Sequence, residues 1–285
     1  MTRVLVTGAS GFIGSALRER LTARGDDAEG VSLRDGGTPT RAQVEAADAV
    51  VNLAGETVEG RWTAAKRSAI LTSRVDGTRR LVDAVAAASA RPRVLVSASA
   101  IGWYGDRGDE ALDEDSAPGE GFLYEVASAW EAEAMRAAEL GVRVVVVRFG
   151  LILGRGGGAF PRLVRPTRLL AGGPLGSGRQ WWAWVHLDDV TGIVLHAIDD
   201  GAVTGVLNAT APEPCRQREF ARALGAAVHR PAVTPAPAVA LRLLLGGFAT
   251  ELLSSRRVLP KRTGSSGYAF AHPQLEGALA DLVAS

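Results

Sequence analysis

The chain contains 285 residues, of which 47% are hydrophobic and 22% are charged, and its formal net charge is +1. This balance is ordinary for a globular protein and gives no reason to expect nucleic acid or an anionic membrane as a partner. The single cysteine, Cys215, excludes an internal disulfide framework. A strand-like run directly after Met1 indicates no signal peptide, and no apolar stretch is long enough to cross a bilayer, so we expect a cytoplasmic protein.

Short β-branched runs alternate with longer helical patterns through the first half of the chain. The predicted strands are Val4–Thr7, Glu29–Leu33, Ala49–Asn52, Val94–Ser97 and Val142–Arg148. The predicted helices are Phe12–Arg24, Ala64–Ser89 and Gly121–Leu140. Mostly apolar strands that alternate with helices are typical of a parallel sheet covered on both faces. With a glycine-rich turn after the first strand, the pattern predicts an α/β fold with a doubly wound Rossmann sheet.

The regular alternation stops after Gly154, where glycine-rich loops and prolines become frequent. Here the predicted elements are one strand, Gly205–Asn208, and helices near Phe160–Leu170, Asp188–Ile198, Arg216–Leu224, Pro237–Leu245 and Leu275–Val283. We assign residues 1–155 and 185–210 to a nucleotide-binding unit. Residues 156–184 and 211–285 are assigned to a smaller, interleaved C-terminal domain on the substrate side.

The first turn of the chain carries the pattern of a dinucleotide-binding loop. Gly8 allows a sharp turn off the strand, Gly11 lets the backbone approach a pyrophosphate, and Gly14 lets the helix pack closely on the sheet. A diphosphate there would meet the amides and the positive dipole end of the following helix. We therefore predict a nucleotide site at Gly8–Gly14.

The end of the second predicted strand decides between NAD and NADP. An acidic side chain at that point would bind a ribose 2′-hydroxyl, whereas a guanidinium would bind a 2′-phosphate through two hydrogen bonds. Arg34 lies at the expected spacing, Ser32 can assist it, and Asp35 follows one residue later. We predict NADP as the cofactor, with NAD as the alternative.

Several motifs together resemble one group of proteins. They are Gly8–Gly14, Asn52-Leu53-Ala54-Gly55-Glu56, Arg61-Trp62-Thr63, Ser73-Arg74, Ser97–Gly102, Tyr104-Gly105-Asp106, Gly176–Gln180, Trp184–Asp189 and Arg257–Pro260. The set is similar to atypical members of the extended short-chain dehydrogenase/reductases, within the NAD-dependent epimerase/dehydratase superfamily. These are epimerase-like proteins of unknown function with a small characteristic C-terminal domain.

The resemblance implies a catalytic set of which one member is missing. Short-chain dehydrogenases use a serine, a tyrosine and a lysine four residues after the tyrosine; the resemblance places the first two at Ser99 and Tyr124. The chain has only two lysines, Lys66 and Lys261, and none follows any of its three tyrosines at that spacing. Tyr104 is the alternative proton donor.

The cofactor contacts predicted from the loop, from the strand ends and from the resemblance form one set. They are Gly8, Ser10, Gly11, Phe12, Ile13, Gly14, Ser32, Arg34, Leu53, Ala54, Gly55, Glu56, Arg74, Ser97 and Ala98. Arg74 stands where the family usually has a polar asparagine, and it could supply positive charge but no transferable proton.

The segment before Asp188 offers further candidates. Trp182 and Trp184 share one face of a predicted strand, and we favour packing between the two units over lining a substrate pocket. His186 could be a general acid, but we favour a structural role next to a helix capped by Asp188 or Asp189. The remaining histidines have no partners at metal-ligand spacing, so no metal site is predicted.

Two functions compete on these observations. The first is an NADP(H)-dependent oxidoreductase, or an epimerase working by transient oxidation, on an unidentified small molecule between the two units. The second is a non-catalytic NADP(H)-binding sensor or structural protein that has lost the reaction. Ser99 and Tyr124 favour the first, and the missing lysine favours the second. We favour the enzyme; homodimerisation is left open.

Overall fold

The computed structural model describes residues 1–284. The strands are β1 (Arg3–Thr7), β2 (Asp27–Val31), β3 (Ala49–Asn52), β4 (Val94–Ala100), β5 (Ala111–Leu112), β6 (Arg143–Phe149), β7 (Leu151–Gly154), β8 (Gly157–Gly158), β9 (Trp181–Trp182), β10 (Trp184–His186), β11 (Gly205–Ala209), β12 (Cys215–Arg216) and β13 (Arg257–Val258). The α-helices are α1 (Phe12–Ala23), α2 (Arg41–Ala46), α3 (Ala64–Ala87), α4 (Phe122–Met135), α5 (Phe160–Arg168), α6 (Leu187–Asp199), α7 (Gln217–Ala227), α8 (Ala238–Leu245), α9 (Ala249–Leu253), α10 (Lys261–Ser265) and α11 (Leu275–Val283).

A six-stranded sheet organises the nucleotide-binding unit, in the order β2-β1-β3-β4-β6-β11. Every pairing in this sheet is parallel. The chain leaves β1 for β2 on one side and then returns to β3 on the other. The topological switch point therefore lies between β1 and β3, where doubly wound sheets bind their ligands beyond the carboxyl ends of the strands. The predicted Rossmann-type α/β fold is confirmed.

Two hydrophobic cores cover the faces of this sheet. One face packs against α1 and α6 through side chains such as Leu17, Leu21 and Ile193. The other packs against α3 and the residues just before β6, through side chains such as Val82 and Val142. Because both faces are buried, the central strands are apolar over most of their length, and their polar residues lie mainly toward the carboxyl ends.

A third core belongs to the smaller unit. It joins α5, α7 and α11 around Trp182, Trp184 and Phe220, with Leu279 fully buried. The C-terminal part of the chain is interleaved with the first unit, since β13 pairs with β5, and Tyr268 packs on the core beneath the sheet. The boundaries proposed at residues 155, 185 and 210 stay predictions.

Several predicted boundaries were wrong, and each has a local cause. β2 ends at Val31 rather than Leu33, because the chain turns away into a 3₁₀ turn at Arg34–Gly36. β4 continues past Ser97 to Ala100, because its last residues pair with β6. The helix predicted over Gly121–Leu140 ends as an α-helix at Met135 and continues as a 3₁₀ helix to Leu140.

No helix within residues 1–284 combines the length and the apolar character needed to cross a membrane.

Candidate functional site

The loop between β1 and α1 has the geometry that its glycines predict. Gly8 has a φ of +69°, and a Cβ added there would lie 2.8 Å from the backbone carbonyl of Leu53. A Cβ on Gly14 would lie 2.2 Å from the Gly8 oxygen, so α1 can approach the sheet only with glycine at that position. Gly11 is the N-cap of α1 and has no side-chain cap. The first amides of the helix are thus left for a ligand.

Arg34 lies beyond the end of β2 with its side chain exposed. Ser32 Oγ accepts a hydrogen bond from the Arg34 amide at 3.3 Å, and Asp35 turns the chain with a φ of 52°. No hydrogen bond or ion pair engages the Arg34 guanidinium within the described part of the chain. Its charge contributes to lowering the pKa of Glu56, although the main cause is the hydrogen bond that Lys66 donates to Glu56 at 2.7 Å.

A buried row of hydroxyl and amide groups crosses three neighbouring strands below the loop. Thr7 Oγ1 donates to Asn52 Oδ1 at 2.7 Å, and the Asn52 amide donates to Thr78 at 2.8 Å and to Ser97 at 3.3 Å. All four side chains are buried. The hydroxyl of the predicted cofactor residue Ser97 is therefore engaged in a hydrogen bond inside the protein. The neighbouring Ala98 lines the cavity described next.

A cavity of about 770 Å³ extends from the nucleotide loop to helices α5, α7 and α8. Its inner end is formed by Phe12, Ile13 and Leu53 together with Ala98 and Ser99. Its far end is formed by side chains of α5, α7, α8 and the residues that follow α8. Of the predicted cofactor residues, Phe12, Ile13, Leu53, Arg74 and Ala98 line this cavity; Ser10 is exposed beside it.

Ser99 lines the cavity, and its hydroxyl is held by a charged pair. It lies within β4, not just past the strand, and its Oγ donates to Glu131 Oε1 at 2.5 Å. Arg148 donates to both oxygens of Glu131, each at 2.8 Å. The Arg148 side chain is 3% exposed, so its charge depends on this bidentate pair.

Tyr104, the alternative proton donor, lies on the other side of this pair. Its hydroxyl donates to Asn208 at 2.9 Å and accepts from Arg148 at 3.1 Å, and the ring is fully buried. Burial raises the pKa of Tyr104 above its ordinary value. The side chain is absent from the cavity wall, and its contacts fit a structural role.

Tyr124 lies on the first turn of α4, half-buried, with its ring packed edge-on against Trp103. The α4 side chains that line the cavity are Leu123, Val126, Ala127 and Trp130. This face of the helix is apolar, and Tyr124 is not part of it. Its role as proton donor stays a prediction, one that the orientation of α4 does not favour.

Arg74 carries the positive charge closest to the nucleotide end of the cavity. Its Nη1 donates to the carbonyls of Glu56 and Ile70 at 2.8 and 3.2 Å, and its guanidinium stacks over the Trp130 ring at 5.2 Å. Burial lowers the pKa of Arg74 to about 10, which still leaves it cationic at neutral pH. Gly55 allows this packing, because a Cβ there would lie 3.0 Å from the guanidinium carbon.

Of the three tryptophans between residues 181 and 184, two line the cavity and two lie in the third hydrophobic core. Trp181 and Trp182 line the cavity, while Trp182 also packs edge-on against Phe220 in the core of the smaller unit. Trp184 is fully buried, and its indole donates to the Glu213 carbonyl at 3.2 Å.

His186, rather than Asp188 or Asp189, is the N-cap of α6, which corrects the predicted cap. Its Nδ1 accepts the Asp188 amide at 3.1 Å, while the Asp189 carboxylate accepts the Tyr268 hydroxyl at 3.0 Å. The His272 ring stacks on His186 with the centroids 3.8 Å apart. Potential ligand atoms of His186, Asp188 and His272 all lie within 4.8 Å of one another, a grouping that sequence spacing did not reveal. We assign it to helix capping, because His186 Nδ1 is used by the backbone.

Glu131 and Arg148 are the functional candidates that the sequence did not reveal. Glu131 is 32 residues from Ser99 in the chain, and no spacing rule connects them. The one available signal is Arg148 at the end of a predicted strand that is apolar from Val144 to Val147, since a buried charge requires a partner.

Two family models match parts of this chain. A model of the NAD dependent epimerase/dehydratase family matches residues 4–209, and a domain of unknown function, DUF1731, matches residues 236–282. The mouse (Mus musculus) epimerase family protein SDR39U1 is 40% identical over 293 residues, covering 99% of this chain and 100% of that protein.

Two solved structures extend the comparison. The crystal structure of human epimerase family protein SDR39U1 with NADPH has a TM-score of 0.91 and 38% identity, covering 99% of each chain. A nucleoside-diphosphate sugar epimerase from Corynebacterium glutamicum has a TM-score of 0.81 and 31% identity, covering 99% of this chain and 58% of that one.

Proposed function

Because the chain belongs to the NAD-dependent epimerase/dehydratase family, we propose that it is an NADP(H)-dependent oxidoreductase or epimerase-like enzyme acting on a small molecule. The observation that carries the proposal is the shape of the cavity. One continuous wall joins Phe12 and Ile13, the first residues of the nucleotide-binding helix, to the hydroxyl of Ser99. A hydride carrier at the loop and a substrate at Ser99 would share one enclosed space.

The residues present fit NADP(H). The loop is free of side chains where a diphosphate would lie, and the amides at the start of α1 have no cap. The exposed guanidinium of Arg34 suits a 2′-phosphate. The human relative, crystallised with NADPH, supports the same choice over NAD.

In this proposal Ser99 and Glu131 transfer the proton between the substrate and the protein. The bound NADP(H) supplies or accepts the hydride. Because Ser99 Oγ donates to Glu131, its lone pairs remain free to accept a hydrogen bond from a substrate hydroxyl. In the oxidation direction the substrate proton passes to Ser99 as the Ser99 proton passes to Glu131; in reduction the path is reversed. Arg148 orients the carboxylate.

Arg74 would stabilise negative charge on the reacting oxygen. It lines the same cavity as Ser99 and stays cationic at neutral pH. A fixed positive charge in a water-poor cavity is worth more than the same charge in water.

Kinetics on single variants tests this assignment. We expect Ser99→Ala to lower kcat by about 10²–10⁴-fold and to leave NADPH affinity nearly unchanged, because only proton handling is lost. Tyr124→Phe is the matched comparison: unaltered turnover supports the path through Ser99. A fully active Ser99→Ala with an impaired Tyr124→Phe would move the proton donor to the phenol.

A second candidate is a non-catalytic NADP(H)-binding sensor. The apolar face that α4 turns toward the cavity favours it, because that face holds no ionisable group. Tight NADPH binding without turnover in a broad screen of carbonyl compounds would select this candidate.

The cytoplasmic location is part of the proposal. It rests on the single, half-buried Cys215, whose thiol pKa burial raises to about 12. Such a thiol stays protonated and unreactive at neutral pH. Alkylation of the native protein at pH 8 should therefore leave Cys215 unmodified.

A further inference from the structure

We propose that the substrate is a largely apolar, uncharged carbonyl compound or the corresponding alcohol, and not a nucleoside-diphosphate sugar. The inference rests on the proposed function and specifies its substrate class. The region of the cavity beyond Ser99 is walled mainly by large apolar side chains: Leu163, Leu175, Trp182, Phe220, Leu245 and Phe248.

Four of the charged side chains that line the cavity are paired with one another inside the protein. Within residues 1–284, five charged side chains line the cavity. Arg162 pairs with Glu59, and Arg256 pairs with Glu251 through two bonds of 2.8 and 2.9 Å. The fifth is Arg74, described above. A diphosphate in the far part of the cavity would have to compete with Glu251 for the buried Arg256, or with Glu59 for Arg162, whose side chain is 64% exposed.

The uncharged polar side chains at the far end are also committed. Gln217 accepts from the Leu175 amide at 2.8 Å, and its amide group donates to the Gly173 carbonyl at 3.5 Å. The Thr167 hydroxyl donates to the backbone carbonyl of Leu163 at 2.8 Å, and the Ser254 hydroxyl donates to the backbone carbonyl of Thr250 at 2.6 Å. The several hydroxyls of a sugar would find there few partners besides the acceptor lone pairs of Thr167 and Ser254, fewer than the water they lose. The end near Ser99 and Arg74 suits an oxygen atom better.

Helix α8 continues the apolar character of the cavity wall onto the adjoining surface. Leu241 and Leu245 line the cavity, while Leu243 and Leu244 on the same helix are 71% and 75% exposed. None of its residues is buried. The helix therefore presents apolar side chains both to the cavity and to the adjoining surface.

A chain-length series provides the test. Binding of methyl ketones from butan-2-one to decan-2-one is measured by tryptophan fluorescence, with and without NADPH, because Trp181 and Trp182 lie in the wall. We expect the affinity to rise about two- to fourfold per methylene, as burial of hydrocarbon requires. UDP-glucuronic acid should bind more weakly than decan-2-one, and decanoic acid no more tightly. Affinity independent of chain length, or tighter binding of either anion, overturns the proposal.

Two variants of α8 distinguish binding in the cavity from nonspecific adsorption of the ketone to the protein surface. We expect Leu241→Glu to weaken decan-2-one binding at least about tenfold, because it places a carboxylate in the wall. Leu244→Glu places the same charge on the exposed side and should change binding less than about twofold. Equal effects of the two variants contradict the inference. Should Leu241→Glu fail to fold, the chain-length series on the unaltered protein still decides.

The outcomes distinguish this inference from the proposed function. Binding is measured without turnover, so a protein that binds ketones but never reduces them refutes only the enzyme. A protein that turns over a nucleotide sugar refutes only the substrate class.

Discussion

Gly11 and Gly14 are constrained to different degrees by the same backbone oxygen, so substitutions at the two positions should affect binding and folding differently. A Cβ on Gly14 would overlap the Gly8 oxygen at 2.2 Å, a backbone atom that cannot move aside. A Cβ on Gly11 would meet the same oxygen at 3.1 Å, which a small shift relieves.

We therefore predict opposite outcomes for two substitutions. Gly14→Ala should lower the free energy of unfolding by about 3 kcal/mol, since overpacking forces α1 from the sheet. Gly11→Val should keep a near-normal melting temperature and lose NADPH binding, because its side chain occupies the diphosphate position. Thermal melts and NADPH titrations measure both. Normal NADPH binding by Gly11→Val would place the diphosphate elsewhere.

Arg34 has an exposed side chain without a competing partner, so its effect should appear in binding alone. We predict that Arg34→Ala lowers the preference for NADPH over NADH by about ten- to a hundredfold, or about 1.5–3 kcal/mol for a charge-assisted bidentate contact. Arg41→Ala, which removes an exposed arginine paired with Glu45, is the control and should leave the preference intact. Calorimetric titration with NADPH and NADH measures the preference. An unchanged ratio of the two affinities in Arg34→Ala would show that Arg34 does not bind the 2′-phosphate.

At the scale of single elements, the errors of the sequence-based prediction have local causes. Ser32 and Leu33 look like strand residues, but the Ser32 hydroxyl binds the Arg34 amide and Asp35 adopts a positive φ, so the strand ends early. Helix α2 was missed although its signature is present: Thr40 and Gln43 form a capping box. The rotation of α4, which turns Tyr124 away from the cavity, depends on packing against Trp103 that no local pattern encodes.

The cap of α6 predicts a pH-dependent stability. Burial, followed by the charge of His272, holds the pKa of His186 below its ordinary value, while Asp188, Asp189 and Asp281 partly oppose the shift. The unfolded state therefore takes up more protons as the pH falls through about 6.5, and the native state loses stability on acidification.

His186→Asn keeps a capping side chain and removes this titration. Between pH 7 and pH 5 the free energy of unfolding of the variant should fall less steeply than that of the unaltered protein, by up to about 1.4 kcal/mol per pH unit for one proton. Urea unfolding at both pH values measures the slopes. Identical slopes would show that His186 does not titrate with unfolding.

At the scale of the whole molecule, the first half was predictable because its signals are periodic and local. Buried strands, amphipathic helices and a glycine loop at the N-terminus predicted the fold, and the motifs predicted the family, which the match over residues 4–209 confirms. The catalytic surroundings were less accessible. The Ser99–Glu131–Arg148 arrangement assembles residues from β4, α4 and β6, and only the folded sheet brings them together.

Phe12 connects the nucleotide loop to the hairpin that leads into the cavity wall. It begins the nucleotide-binding helix, and its ring lies against the backbone of Gly154, Gly157 and Gly158, where an added Cβ would approach ring atoms to 2.6–2.8 Å. The β7–β8 hairpin that it touches leads into α5, part of the cavity wall.

We predict that this contact couples the affinities for the nucleotide and for the proposed ketone. If NADPH tightens ketone binding by some factor, the ketone must tighten NADPH binding by the same factor. We predict that Phe12→Ala reduces this factor toward one, and paired titrations in both orders measure it. An unchanged factor in Phe12→Ala would mean that the coupling free energy passes through other contacts.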